Sequence, residues 1–132
     1  MRKFHLEVVT PDGLCFDSQV ESLLVRTIDG DVEFLWGHVD YMAALGTGKA
    51  RIKEDGKDRL ASVSGGFVTV TGGEVKLVAI TFEFAENIDI ERARAAVEKA
   101  KQVISSSNDD KVLKLAEAKL KRALNRIDVA KG

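Results

Sequence analysis

Four side chains in the last third of the chain could do chemistry together. Asp89 and Arg92 stand three apart, and Arg122 and Arg126 stand four apart. On helices, each pair shares a face. Arginine suits phosphate because its planar fork donates two parallel hydrogen bonds. A carboxylate beside it could accept from an adenine amino group or a ribose hydroxyl. The residues alone leave two readings open. One is a nucleotide site. The other is a helix cap whose carboxylate pairs with an arginine and closes two helices on each other without a ligand.

Other chemistry is poorly supplied. His5 and His38 are far apart and Cys15 is the only cysteine, so no zinc set is complete; His5 reads as an ordinary strand residue. No Gly-x-x-x-x-Gly-Lys stretch occurs. Ser64-Gly65-Gly66 lies between strands with no helix to follow, and reads as a hinge or bulge. No Ser/His/Asp set has a nucleophile elbow. The chain reads as a non-enzyme with no metal and no required cofactor.

Composition divides the 132 residues in two. Ten of eleven glycines lie in residues 1–73, whereas residues 85–132 hold nine alanines against five in residues 1–84. The first part therefore suits strands with tight turns, the second closely packed helices. Residues 1–84 carry 9 basic and 13 acidic side chains, net −4; residues 85–132 carry 11 and 8, net +3. Residues 111–132 alone carry 7 basic against 2 acidic, net +5. Such a helix implies an acidic partner or is simply a solvated face. A single cysteine fits a reducing compartment. The short apolar runs exclude a signal peptide and a membrane span, hence direct membrane insertion.

Phe4, Leu6 and Val8 alternate as a strand. Pro11-Asp12-Gly13, Asp29-Gly30, Asp55-Gly56 and Gly72-Gly73 mark turns. Strands are expected over 14–17, 20–27, 50–53, 59–64, 67–70 and 75–82, in an antiparallel sandwich or barrel. After Phe84 the period becomes helical. Asp89 is the expected first cap and Asp110 the second. The apolar stripes are Ala93, Ala96, Val97, Ala100, Val103 and Ile104, then Val112, Leu113, Ala116, Leu120, Ala123, Leu124 and Ile127. Two such helices joined by a short polar break form an antiparallel hairpin.

Phe4-His5-Leu6-Glu7-Val8-Val9-Thr10-Pro11-Asp12-Gly13, Val20-Glu21-Ser22-Leu23, Gly30-Asp31-Val32, Gly37-His38, Val63-Ser64-Gly65-Gly66-Phe67 and Ile88-Asp89 with Arg92-Ala93 occur in this order. Together they resemble the epsilon subunits of bacterial rotary F-type ATP synthases, and among them the Bacillus type, over nearly the whole chain. The resemblance implies an N-terminal antiparallel β-sandwich of about ten strands over residues 1–85 and a C-terminal two-helix hairpin over residues 86–132. It implies a peripheral place on the cytoplasmic face of the bacterial plasma membrane. The partners it implies are the gamma subunit, the ring of c subunits and, with the hairpin extended, the alpha and beta catalytic subunits. The implied job is coupling rotation to catalysis and restraining ATP hydrolysis.

Ile88-Asp89-Ile90-Glu91-Arg92-Ala93 matches the family's ATP-recognition pattern, Ile/Leu-Asp-x-x-Arg-Ala. By resemblance, ATP, with or without Mg2+, is a regulatory ligand that stabilises the folded hairpin through Glu83, Ile88, Asp89, Arg92, Ala93, Arg122 and Arg126. Phe84 and Lys99 stand where strong binders tend to carry arginine. The basic second helix, with Lys114, Lys119, Lys121, Arg122 and Arg126, is the expected inhibitory face. The loop with Asp31, Glu33, Gly37 and His38 is the expected contact with the c ring and gamma, although Glu33, Trp36 and Asp40 depart from the family's Gly/Pro pattern. A free nucleotide-binding module, or a nucleic-acid-binding β-domain with a basic helical tail, is the other reading. Against it stand the acidic first part and 6% aromatics, a poor base-stacking platform.

Overall fold

The computed structural model describes residues 2–132. They form two compact units, one ending at Phe84 and one running from Ala85 to Gly132.

The first unit holds eight strands: β1 (Phe4–Thr10), β2 (Gly13–Val20), β3 (Ser22–Thr27), β4 (Gly30–Phe34), β5 (Tyr41–Ala44), β6 (Gly48–Glu54), β7 (Lys57–Thr71) and β8 (Glu74–Phe84). They follow the order β2-β1-β8-β7-β6-β3-β4, with β5 beside β7. The expected turns are all present. At the β6–β7 hairpin Asp55 and Gly56 both take positive φ, 53° and 78°. That is the demand of the tight primed turn, which Asp-Gly meets cheaply.

The sandwich class is as expected, with eight strands where about ten were anticipated. One expected boundary is absent, in β7. Two expected strands, 59–64 and 67–70, are one strand of 15 residues. Its first half pairs with β6 and its second half with β5, while β8 runs along both. The expected hinge at Ser64-Gly65-Gly66 is the point of change. Gly65 and Gly66 have φ of 71° and 92°, a conformation that L side chains avoid. One pair is not antiparallel: β1 lies parallel to β8, with Leu6 opposite Val75. The end of β2 meets β6, where the Glu21 amide donates to the Lys53 carbonyl at 2.8 Å and Ser18 Oγ donates to Glu54.

Inward residues alternate along β1 and β6, and the buried residues of the strands meet in one core. Leu6, Val8, Val20, Leu23, Val25, Phe34, Ile52, Val68 and Leu77 are fully buried. Phe84 belongs to this core. It meets Phe16 and Phe82 edge-on, and the Arg59 guanidinium lies 3.7 Å over its ring.

The second unit begins with a 3-10 turn (Ala85–Asn87), then α1 (Ile90–Ser106) and α2 (Asp110–Lys131). Asp89 caps α1 as expected. The cap of α2 is Asp109, not Asp110. Asp109 has extended backbone angles, and its Oδ1 accepts from the amides of Lys111 (2.9 Å) and Val112 (3.4 Å). Asp110 opens the first turn, where negative charge is favourable. The polar break is only residues 107–109, because α1 extends through Ser105 and Ser106, whose hydroxyls donate to the Gln102 carbonyl.

Ala93, Val97 and Ala100 on α1 and Ala116, Ala123 and Val129 on α2 are buried. Two members of the expected second stripe differ: Val112 and Leu124 are exposed, and the missed Val129 is buried. The observed seam of α2, at 113, 116, 120, 123 and 127, alternates steps of three and four and leaves 112 and 124 on its flanks. Among the described residues, no helix is long and apolar enough to cross a membrane.

Candidate functional site

The start of α1 is built around one carboxylate. Asp89 Oδ1 accepts from the Arg92 amide at 3.0 Å, and the Asp89 carbonyl accepts from the Ala93 amide at 3.0 Å. Ile88 is 9% exposed, its amide donating to the Ala85 carbonyl, and Ala93 is fully buried. Ile88 and Ala93 thus anchor the turn inside the second unit, while the Arg92 side chain is exposed. With only residues 107–109 between the helices, α2 runs back antiparallel to α1. Arg122 and Arg126 stand one turn apart on it, both half-buried, on the same flank of the buried Ala123. Arg126 is already engaged in an interaction within the chain.

The structure therefore gathers Ile88, Asp89, Arg92 and Ala93 into one turn, and Arg122 with Arg126 onto one flank of the partner helix. Glu83 lies in the other unit, on β8 opposite Ser62. Where a cap closed by an arginine pair was an open reading, the partner of the Asp89 carboxylate is the Arg92 backbone amide. The aliphatic seam of small residues keeps the two helices close, but it buries little apolar area, so its stabilisation is modest at ~25 cal/mol per Å².

The basic residues of α2 spread over its outer side. At about 100° per residue, Lys114, Lys121, Arg122, Arg126 and Lys119 cover an arc of about 160° facing away from the seam. Lys114, Lys119 and Lys121 are exposed.

The expected contact loop has a different character from its charges. Asp31 and Glu33 both point outward from β4, and both are paired: Asp31 Oδ1 accepts from Arg26 Nε at 2.6 Å, and Glu33 Oε2 lies 3.2 Å from Arg51 Nη2. The hydrogen bond from Arg26 holds the Asp31 carboxyl below its ordinary value. Gly37 turns the chain with φ 81°. His38 is half-buried, its ring edge-on to Phe34 at 4.8 Å and to Tyr41 at 5.8 Å. Exposed in the same loop are the apolar Leu35, Trp36 and Val39, next to Asp40. The Arg2 guanidinium sits 4.1 Å from the Trp36 ring centre.

A larger feature escapes sequence reading. Leu14, Val9, Val78, Phe67 and Ala44 are successive cross-strand neighbours on β2, β1, β8, β7 and β5. They form one outward apolar row about 19 Å wide at the usual strand spacing. Leu14 is 60% exposed and Phe67 40%, and Met42 (70%) and Ile80 (64%) flank the row. The available signal was Val78 and Ile80, apolar on the face of β8 that alternation assigns to solvent.

The chain thus combines a sandwich unit with a small-residue helical hairpin unit, and both carry exposed apolar and charged residues. Family models match both parts. The beta-sandwich domain of the ATP synthase delta/epsilon chain matches residues 3–85, and its long alpha-helix domain matches residues 86–131. The ATP synthase epsilon chain of Bacillus velezensis is 42% identical over 130 residues, 98% of each chain. That of Bacillus subtilis is 43% identical over 130 residues, again 98% of each. In the solved Euglena gracilis mitochondrial ATP synthase (OSCP, F1 and c-ring), one chain superposes with a TM-score of 0.84 at 25% identity, covering all of this chain and 83% of that one. The chain belongs to the ATP synthase delta/epsilon family, and as a member it is a non-catalytic stalk subunit.

Proposed function

We propose that this chain is the epsilon subunit of the central stalk in a proton-translocating ATP synthase, peripheral to the cytoplasmic face of the membrane. The sandwich docks on the gamma subunit and the c ring. The hairpin is the regulatory part. Extended, it reaches the alpha and beta subunits with its basic outer face and restrains ATP hydrolysis. Folded, it is stabilised by ATP held by Asp89, Arg92, Arg122 and Arg126, with Glu83, Ile88 and Ala93 completing the set.

The observation that carries the docking is the five-strand apolar row. Exposed apolar patches of this kind mark protein contacts, and Leu14, Phe67 and Ile80 supply large side chains without neighbouring charge on the row itself. The ATP reading is supported by the motif, by the small-residue seam and by arginines on both helices.

Co-purification with gamma tests the docking. The double variant Phe67→Glu/Ile80→Glu should bind gamma at least ~100-fold more weakly, since central apolar anchors dominate interfaces. Unchanged binding with the fold intact would remove the row from the interface. Isothermal titration of ATP into the full chain, with and without magnesium, tests the ligand.

A further inference from the structure

Three adjacent strands bring four ionisable side chains onto one outward patch. His5 and Glu7 stand two apart on β1 and face the same side. Asp17 of β2 is directly opposite Glu7, and Glu74 opens β8. His5 is the centre: its Nε2 lies 2.5 Å from Asp17 Oδ1 and its Nδ1 lies 2.5 Å from Glu74 Oε2. The facing of Glu7 and Asp17 is unfavourable on its own, because like charges directly opposite in an antiparallel pair repel. Lys76 Nζ, 3.6 Å from Glu7 Oε1, offsets one of the three carboxylates. The patch still carries more negative than positive charge around the imidazole.

We infer that His5, Glu7 and Asp17 form a surface site for a zinc-class divalent cation, with Glu74 orienting the imidazole. One ligand atom from each of the three lies within 4.8 Å of the others. Ligands around a tetrahedral ion with bonds of about 2.0–2.2 Å sit about 3.3–3.6 Å apart. Side-chain rotation on the order of 1 Å closes the set, and the strand backbones stay where they are. One imidazole nitrogen with two carboxylates is a borderline donor set. It suits zinc better than calcium or magnesium, whose sites are made of oxygen. Glu74 accepts the Nδ1–H and so aims the Nε2 lone pair at the ion, the usual way a carboxylate orients a metal-bound imidazole. Binding displaces the Nε2 proton to solvent and leaves one position for water. The site does not depend on the stalk assignment.

Titration of chelator-stripped full chain with zinc chloride, followed by calorimetry, is the test, repeated with cobalt(II) and read by visible absorption. The expected result is one ion per chain with proton release. Asp17→Asn and His5→Ala should each weaken binding by at least ~10-fold, and Glu74→Ala by about 10–100-fold. Cys15→Ser and His38→Ala should leave it unchanged; these remove the other two zinc-seeking side chains. Circular dichroism checks that each variant is folded, and Asp17→Asn serves if His5→Ala is not. No stoichiometric binding by the native chain, or binding that survives both Asp17→Asn and His5→Ala, overturns the site. So does binding lost on Cys15→Ser or His38→Ala.

Discussion

A Cβ built on Gly66 would lie 1.8 Å from the carbonyl oxygen of Val78. The two strands touch there backbone to backbone, at a φ of 92°. Gly66→Ala must therefore move backbone as well as adopt a disfavoured conformation, and should cost about 3 kcal/mol or more. Gly72→Ala, at φ 58° with nothing within 4 Å of its Cβ, should cost only about 1–2 kcal/mol. Urea denaturation of both variants gives the comparison; equal losses would mean that the contact with Val78 relaxes freely.

Asp89 has a capping role that can be separated from any ligand role. Asp89→Ser keeps a side-chain acceptor for the Arg92 amide, whereas Asp89→Ala removes it and should destabilise the hairpin by about 1 kcal/mol. ATP affinity should fall in both. If Asp89→Ser binds ATP like the native chain, the carboxylate is a cap and nothing more.

On the proposed ATP site, Arg92→Ala and Arg126→Ala should each remove a charge-assisted hydrogen bond worth roughly 1.5–3 kcal/mol, or about 10–150-fold in ATP affinity. Calorimetry on the two variants measures it. Indistinguishable titrations of native and variant chains would assign both arginines to the fold.

Neutralising Lys114, Lys119 and Lys121, which leaves Arg122 and Arg126 in place, should relieve inhibition of ATP hydrolysis while sparing synthesis. In the proposed mechanism opposite charge draws the extended helix to its site, so the effect should weaken with salt. The assay uses reconstituted enzyme at low ATP. Undiminished inhibition would make the basic arc a solvated face and the block steric.

Asp31 gives a pH dependence of known sign. Its folded pKa is depressed, first by the hydrogen bond from Arg26. Its contribution is therefore present above the ordinary carboxylate value of about 3.8, and disappears as pH falls through the lower folded value. Both partners are about half exposed, so the effect is small and salt-sensitive. The melting-temperature gap between the native chain and Asp31→Asn should be positive near neutrality and close on acidification. A gap that widens in acid would contradict the pairing.

The turns were legible because each one is spelled locally, as in Pro11-Asp12-Gly13 and Asp55-Gly56. The Asp89 cap was legible for the same reason. Asp109 and Asp110 are two identical cap formers side by side, and backbone angles decide between them. Tyr41–Ala44 gave no strand signal, having two alanines and only four residues; it pairs because β7 offers it an edge. The β1–β8 pairing joins residues about seventy apart, which no local pattern reports. The apolar row takes one residue from each of five strands, so it exists only once the register is set. The helix residues of the candidate nucleotide site could be placed from spacing, but the engagement of Arg126 within the chain could not.

The single strand β7 belongs to both faces of the sandwich, pairing β6 with one half and β5 with the other. A load that slides one layer over the other is thus borne along a covalent chain, not only by interdigitated side chains. Shear cannot separate the layers without tearing the ladder that β7 shares with β8. In a machine that turns, such a body follows its shaft with little lag, and the compliance lies in whatever is attached to it.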